Sequence, residues 1–161
     1  MSELKIGDLC PRVPVIQGGM GVGVSLSDLA GAVAAAGGIG VISTAQIGFR
    51  SPDFAQNPIE CNLKAIEDEI RKARKKANGG IVGVNIMVAT RRYEDYVKAA
   101  VAAGIDLIIS GAGLPMTLPE ISGAAKIAPI VSSRKALRVI ANHWRKKYDR
   151  KPDLVVIEGP L

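Results

Sequence analysis

The sequence predicts an α/β fold, a (β/α)8 barrel of the TIM type, of which about six β/α units are present in residues 1–161. Three observations predict it. Short, continuously apolar runs rich in valine and isoleucine recur along the chain, as strands buried on both faces of a parallel sheet do. Stretches of helical periodicity fill the gaps between them. The polar residues and glycines cluster at the C-terminal ends of the runs, which is where a barrel assembles its site.

The first run is VPVIQ from Val13, ending in Gln17-Gly18-Gly19. SLSDLAGAVAAAGG follows, with Ser27 as helix N-cap, an alanine-rich body and Gly37-Gly38 as the stop. IGVIS from Ile39 is the second strand and ends in Ser43-Thr44. The connection from Ile47 to Pro58 is long enough to form a wall over a site. Asn57 and Pro58 then suit the N-cap and first position of a helix. Along it Ile59, Leu63, Ile66, Ile70, Ala73 and Ala77 step by four and three on one face until NGG ends it. The third strand, IVGVNIM from Ile81, carries Asn85 among apolar neighbours. A helix marked by Tyr93, Tyr96, Val97, Ala100 and Val101 stops at Gly104. IDLIIS from Ile105 is the fourth strand, ending in Ser110-Gly111, and a short helix near Pro119 to Lys126 follows it. IAPIVSS from Ile127 is the fifth, ending in Ser132-Ser133. Leu137, Ile140, Ala141, Trp144 and Tyr148 form a helical stripe before the sixth, DLVVIEG from Asp153, which delivers Glu158-Gly159.

An open, doubly wound sheet is the competing arrangement. A dinucleotide-binding turn would need GxGxxG after the first strand, and neither Gly19 nor Gly21 starts one. It also asks for an acid at the end of the second strand, where this chain has Ser43 and Thr44. The barrel is therefore preferred. A complete one takes roughly 250 residues, so the stop at Leu161, without a helix after the sixth strand, predicts a part of a longer enzyme whose C-terminal units are missing.

Composition narrows the function classes. With 48% hydrophobic residues the chain can bury a core. No apolar run approaches the roughly 18 residues of a membrane span, and no signal peptide opens the chain, so a cytoplasmic protein without a membrane partner is expected. Cys10 and Cys61 have no metal-ligand or CxxC spacing and are read as reduced and structural. The net charge of +6 could point to nucleic acid, but thirteen of the 21 basic residues fall in Arg71 to Lys76 and Arg134 to Lys151. Those segments read as the outer faces and C-terminal ends of helices, and aromatics amount to 4%. A solvated face is preferred to a nucleic-acid partner, and self-association is left open.

On the residues alone, Gly18 to Gly23 is a tight strand-to-helix turn of a kind glycine makes. A second reading enters with the motifs taken together. PVIQGGMGVGVS, LAGAVAAAGGIGVIS, GVNIM, SGAGLP and VIEGP, in this order on the expected strands, resemble the nitronate monooxygenase family, formerly called 2-nitropropane dioxygenases, which includes the enoyl-acyl carrier protein reductase II branch. The resemblance runs from about Pro14 to Pro160. It implies an FMN-binding barrel in which Gly18, Gly19 and Met20 pass beneath the flavin ring. Glycine lets a main-chain N–H approach a flat acceptor, and methionine offers a polarisable face. The same resemblance makes Asn85 a flavin contact and places Glu158 and Gly159 beside cofactor and substrate. Ser110 and Ser132 stand at strand ends that could face the ring.

Family members continue past this point with a histidine-bearing segment and glycine-rich phosphate loops, neither of which this chain contains. Its one histidine, His143 in ANHWRKKYD, falls mid-helix and receives no catalytic role. The resemblance thus implies a flavin oxidoreductase acting on a small molecule, either a nitronate with molecular oxygen or an enoyl thioester with NAD(P)H. The chain by itself is expected to be inactive. EGPL and the long Ile47 to Pro58 loop favour the first. A non-catalytic binding module is the remaining alternative, and it predicts no flavin.

Overall fold

The computed structural model describes residues 4–159. Pro160 and Leu161, which complete the EGPL motif, lie outside them. Five parallel strands form one sheet in chain order, β1 (Ile39–Ser43), β2 (Ile81–Met87), β3 (Leu107–Gly111), β4 (Lys126–Val131) and β5 (Val156–Ile157). Between them run α2 (Pro58–Ala77), α3 (Tyr93–Ala102), α4 (Leu118–Ile121) and α5 (Arg134–Tyr148), with α1 (Ser27–Ala35) ahead of β1.

Strand order and helix placement decide between barrel and open sheet. Each crossover steps one place in the same direction, whereas a doubly wound sheet reverses at a switch point. All five helices contribute to one core, where Ala30, Ala34, Ile66, Ile70, Tyr96, Val97, Leu118, Ile140 and Trp144 meet Ile42, Val84, Ile86, Ile108 and Ile127 of the sheet. The other face has a separate core of Ile39, Val41, Leu107, Ile109 and Ala128, floored by Ile6 from the N-terminal turn. Helices on one side and a helix-free apolar interior on the other make this the wall of a partial barrel.

Side-chain alternation sets which residues reach that interior. In register, Ser43 stands beside Asn85, Asn85 beside Ile109, and Ile109 beside Ala128. These positions share parity with the interior core, while Val82, Val84, Ile86 and Ile108 face the helices. Close helix-to-sheet packing is built on glycine: a Cβ on Gly40 would collide with the Ala30 carbonyl of α1.

One device holds register twice. The Asp106 N–H donates to the Val82 carbonyl, and the Val82 N–H donates to the Asp106 carboxylate at 2.9 Å. Asp153 repeats both bonds with Ile127, at 3.0 and 2.9 Å. Each carboxylate also pairs with an arginine, Arg74 at 3.0 Å and Arg150 at 3.2 Å respectively.

Several expectations need correction. The run from Val13 makes only an isolated bridge, Ile16 to Ile39, because Pro14 has no donor and the chain turns away at Gly18. The sixth run pairs only through Val156 and Ile157. Lys126 opens β4 rather than closing the short helix, which spans four residues. Ser27 is the first residue of α1, not its cap; its N–H donates to the Glu69 carboxylate of α2 at 2.9 Å. Burial pushes the Glu69 carboxyl up, but the hydrogen bonds from Ser27 and Lys72 outweigh it and hold the group below its ordinary value. Ser133 does cap α5, accepting from the Ala136 N–H. Cys10 and Cys61 are both free thiols. Among the described residues no helix is long and apolar enough to cross a membrane.

Candidate active site

The C-terminal ends of the strands carry the features that sequence singled out, and Gln17 organises the first of them. Its side-chain amide donates to the Val41 carbonyl at 3.0 Å and accepts from the Val41 N–H at 3.1 Å. The same amide nitrogen lies 2.7 Å from the Gly18 carbonyl and 2.9 Å from Ser25 Oγ. Ser25, fully buried, ties the far side of the turn: its hydroxyl accepts from the Met20 N–H at 2.9 Å, and its N–H donates to the Met20 carbonyl. The Ser25 carbonyl accepts from the Ser43 N–H of β1 at 3.0 Å, so the glycine segment is fastened to β1 by Gln17 at one end and Ser25 at the other.

That fastening lays Gly19 directly over β2. A Cβ on Gly19 would lie 2.7 Å from the Asn85 Cβ and 3.5 Å from the Val41 side chain. Gly18 is the opposite case, exposed and with no heavy atom within 4 Å of where a Cβ would stand. Met20 projects into solvent with 61% exposure. Asn85 is held by its main chain, whose carbonyl accepts from both the N–H and the hydroxyl of Thr44 at 3.1 Å. Its side-chain amide, half-buried on the interior parity, makes no hydrogen bond within the described residues. Gly19 therefore packs on Asn85, and Gly18 and Met20 flank it in the chain with their outer sides open.

Ser132, Glu158 and Gly159 form a second group at the β4–β5 end. Val131 pairs with Ile157, and the Glu158 N–H donates to the Val131 carbonyl at 3.0 Å, which brings Glu158 alongside Ser132. All three are exposed. Ser110 is not part of either group. It has the helix-facing parity of Ile108 and is fully buried, with its hydroxyl donating to the Ile86 carbonyl at 2.8 Å and 2.9 Å from the Tyr93 hydroxyl. The serine that ends β3 thus locks α3 to the sheet, and burial pushes the Tyr93 phenol up to about 12, against the opposing effect of the Ser110 hydrogen bond.

The loop after β1 is a wall on the helix side. Its Gly48 N–H donates to buried Asn62 Oδ1 at 2.7 Å, and the Asn62 amide donates to the Tyr96 hydroxyl at 2.8 Å. His143 is far from the strand ends, its ring edge-on to Tyr148 at 5.9 Å between centroids. Among the described residues no group of three or more His, Cys, Asp or Glu could hold a metal ion. What the site offers is a flat main-chain surface with an amide beside it.

Residues 3–161 match the family described as nitronate monooxygenase. The chain belongs to the nitronate monooxygenase family. Solved structures agree on the fold of that family. FabK from Thermotoga maritima aligns with 26% identity and a TM-score of 0.63, covering 92% of this chain and 41% of that one. A mutant of the same FabK aligns with 24% identity and a TM-score of 0.69, covering 92% and 43%. Nitroalkane oxidase from Streptomyces ansochromogenes aligns with 17% identity and a TM-score of 0.66, covering 92% and 47%. The chain spans less than half the length of these structures. No curated protein matches it. As a family member it is of an oxidoreductase lineage, and its half-barrel corresponds to part of the barrels of FabK and nitroalkane oxidase.

Sequence reasoning missed Gln17 and Ser25 as site-building residues. The available signal was a lone amide at the end of an apolar run, directly ahead of two glycines, and a serine at the far end of the same turn.

Proposed function

We propose that this chain forms the ring-facing part of an FMN-dependent oxidoreductase that oxidises alkyl nitronates with molecular oxygen. The observation that carries the reading is the surface made by Gly18, Gly19 and Asn85: open above Gly18, backed by packed β2 below Gly19, and flanked by an uncommitted side-chain amide. A flat heterocycle fits such a surface, since no Cβ stands off the main chain and an amide can both donate to and accept from a pyrimidine edge. FMN, when bound, supplies the redox chemistry. The chain's own residues would bind and orient. Gly18 and Gly19 would offer main-chain N–H groups, Met20 an apolar contact, Asn85 the paired polar contact, and Ser132, Glu158 and Gly159 the opposite rim where a small substrate enters. Ser110 acts behind the sheet, through Tyr93.

A hydride-transferring enoyl thioester reductase using NAD(P)H is the second reading, favoured by the alignment with FabK. Two assays on the intact protein containing this chain separate them. Oxygen uptake with propyl nitronate and no response to NADH supports the first. NADH consumption with crotonyl thioester and no nitronate-dependent oxygen uptake supports the second. An absorption spectrum without a bound flavin, together with no FMN uptake on titration, defeats both and leaves a non-catalytic binding module.

A further inference from the structure

The chain's positive charge has an address. Helix α5 carries Arg134, Lys135, Arg138, Arg145, Lys146 and Lys147 and no acidic residue, so it alone accounts for the net +6, and the rest of the chain is balanced. The two basic helices differ in how these charges are used. On α2, Arg71, Lys72, Arg74 and Lys76 are each paired with an acid. On α5, Lys147 reaches Glu120 at 4.0 Å, while Arg134, Lys135, Arg138, Arg145 and Lys146 have no acidic partner among the described residues.

Position along the helix makes the arrangement costly. Cations complement a helix dipole in the last turn, as Arg145 to Lys147 do, but oppose it in the first turns, where Arg134, Lys135 and Arg138 stand. The placement rule that made this segment an ordinary solvated helix end therefore covers only half of it. Arg134, Arg138, Asn142 and Arg145 also recur at steps of four, four and three, forming a line about 17 Å long at 1.5 Å per residue. That line lies opposite buried Ile140 and Trp144, which seat the helix on the sheet. It points outward, and Arg134, Arg138, Asn142 and Arg145 are all exposed. Its near end follows Ser132 at the strand mouth.

We propose that the outer face of α5 is a docking surface for an acidic protein helix. Charge complementarity names the partner's chemistry, and the spacing names its form: carboxylates at steps of three and four match the arginine line. A single-helix footprint with no exposed aromatic side chain fits a protein helix better than a nucleic-acid strand, which calls for stacking platforms or a broad phosphate-binding face.

The test is fluorescence anisotropy on the 161-residue chain, at about 150 mM salt. The probes are a labelled helical peptide with glutamates at four-residue spacing, the same composition scrambled, and a random-sequence DNA duplex. The spaced peptide is expected to bind tightest. The triple variant Arg134→Glu, Arg138→Glu, Arg145→Glu is expected to weaken it by about tenfold or more. The variant Lys64→Glu, Lys75→Glu, Arg91→Glu makes the same change in net charge elsewhere and is expected to leave binding within about twofold. Circular dichroism confirms that both variants are folded. Equal losses in the two variants, equal binding of the scrambled peptide, tighter binding of the duplex, or no peptide binding would each overturn the proposal.

Discussion

The Gln17 side chain behaves as an extra peptide unit of the sheet, bonded to both the N–H and the carbonyl of Val41. The main chain leaves β1 after the bridge at Ile16 and Ile39, and the amide continues the ladder one step further. This is how the chain can turn into glycine without leaving a buried strand edge unpaired.

Removing that amide separates its two jobs. Gln17→Ala strands the polar groups of Val41 and is expected to cost about 1–3 kcal/mol in urea denaturation. Amide exchange at Met20, whose N–H is held by Ser25, should accelerate by more than the global loss of stability explains. Exchange that merely tracks global unfolding would show that the turn does not depend on Gln17.

Two adjacent glycines should respond differently to one methyl group. Gly19→Ala drives a Cβ to 2.7 Å from Asn85 and is expected to destabilise by about 1–3 kcal/mol. Gly18→Ala meets open space, so its stability should stay within about 0.5 kcal/mol of the parent. Under the flavin reading, Gly18→Ala nonetheless weakens FMN binding in the intact protein. Unchanged FMN affinity there would remove Gly18 from the ring-facing surface.

The Tyr93 phenol supplies a pH dependence with a defined sign. Its folded value is raised from 10 to about 12, chiefly by burial, so the folded state holds the proton more tightly than the unfolded state. The associated stability is fully present below pH 10 and is lost as pH rises from 10 through 12, by up to about 2–3 kcal/mol. Thermal melts of Tyr93→Phe, compared with the parent across that window, should be less steep in pH. Identical slopes would assign the alkaline loss to other groups.

The paired aspartate clamps predict matched losses. Asp106→Ala frees the Val82 N–H and Arg74, and Asp153→Ala frees the Ile127 N–H and Arg150. Each is expected to lower stability by about 1–3 kcal/mol. The double variant should be near additive, because no partner is shared. Chemical denaturation of the three variants checks both points.

Much of this was legible because glycine, proline and apolar periodicity report local geometry. α2 begins at Pro58, buries Ile66, Ile70, Ala73 and Ala77, and ends at left-handed Asn78, as NGG implies. Facing was harder to read. In LIIS, Leu107 to Ser110, every residue is apolar or small, so the alternation that turns Ser110 toward Tyr93 leaves no trace in composition. Asn85 stands out in the sequence by its apolar neighbours and by the family resemblance, neither of which encodes the face it takes. Gln17 escaped because its role is a tertiary hydrogen bond across 24 residues, which no local pattern encodes.

The clamps at Asp106 and Asp153 also bear on the order in which the molecule can be built. Each joins a strand to the one made just before it, across 24 and 26 residues. Among the described residues every strand of the sheet pairs with the one before it in the chain. A nascent chain can therefore extend its sheet in the direction of synthesis, fixing each register as the next aspartate emerges, and keep the closing loops short at every stage.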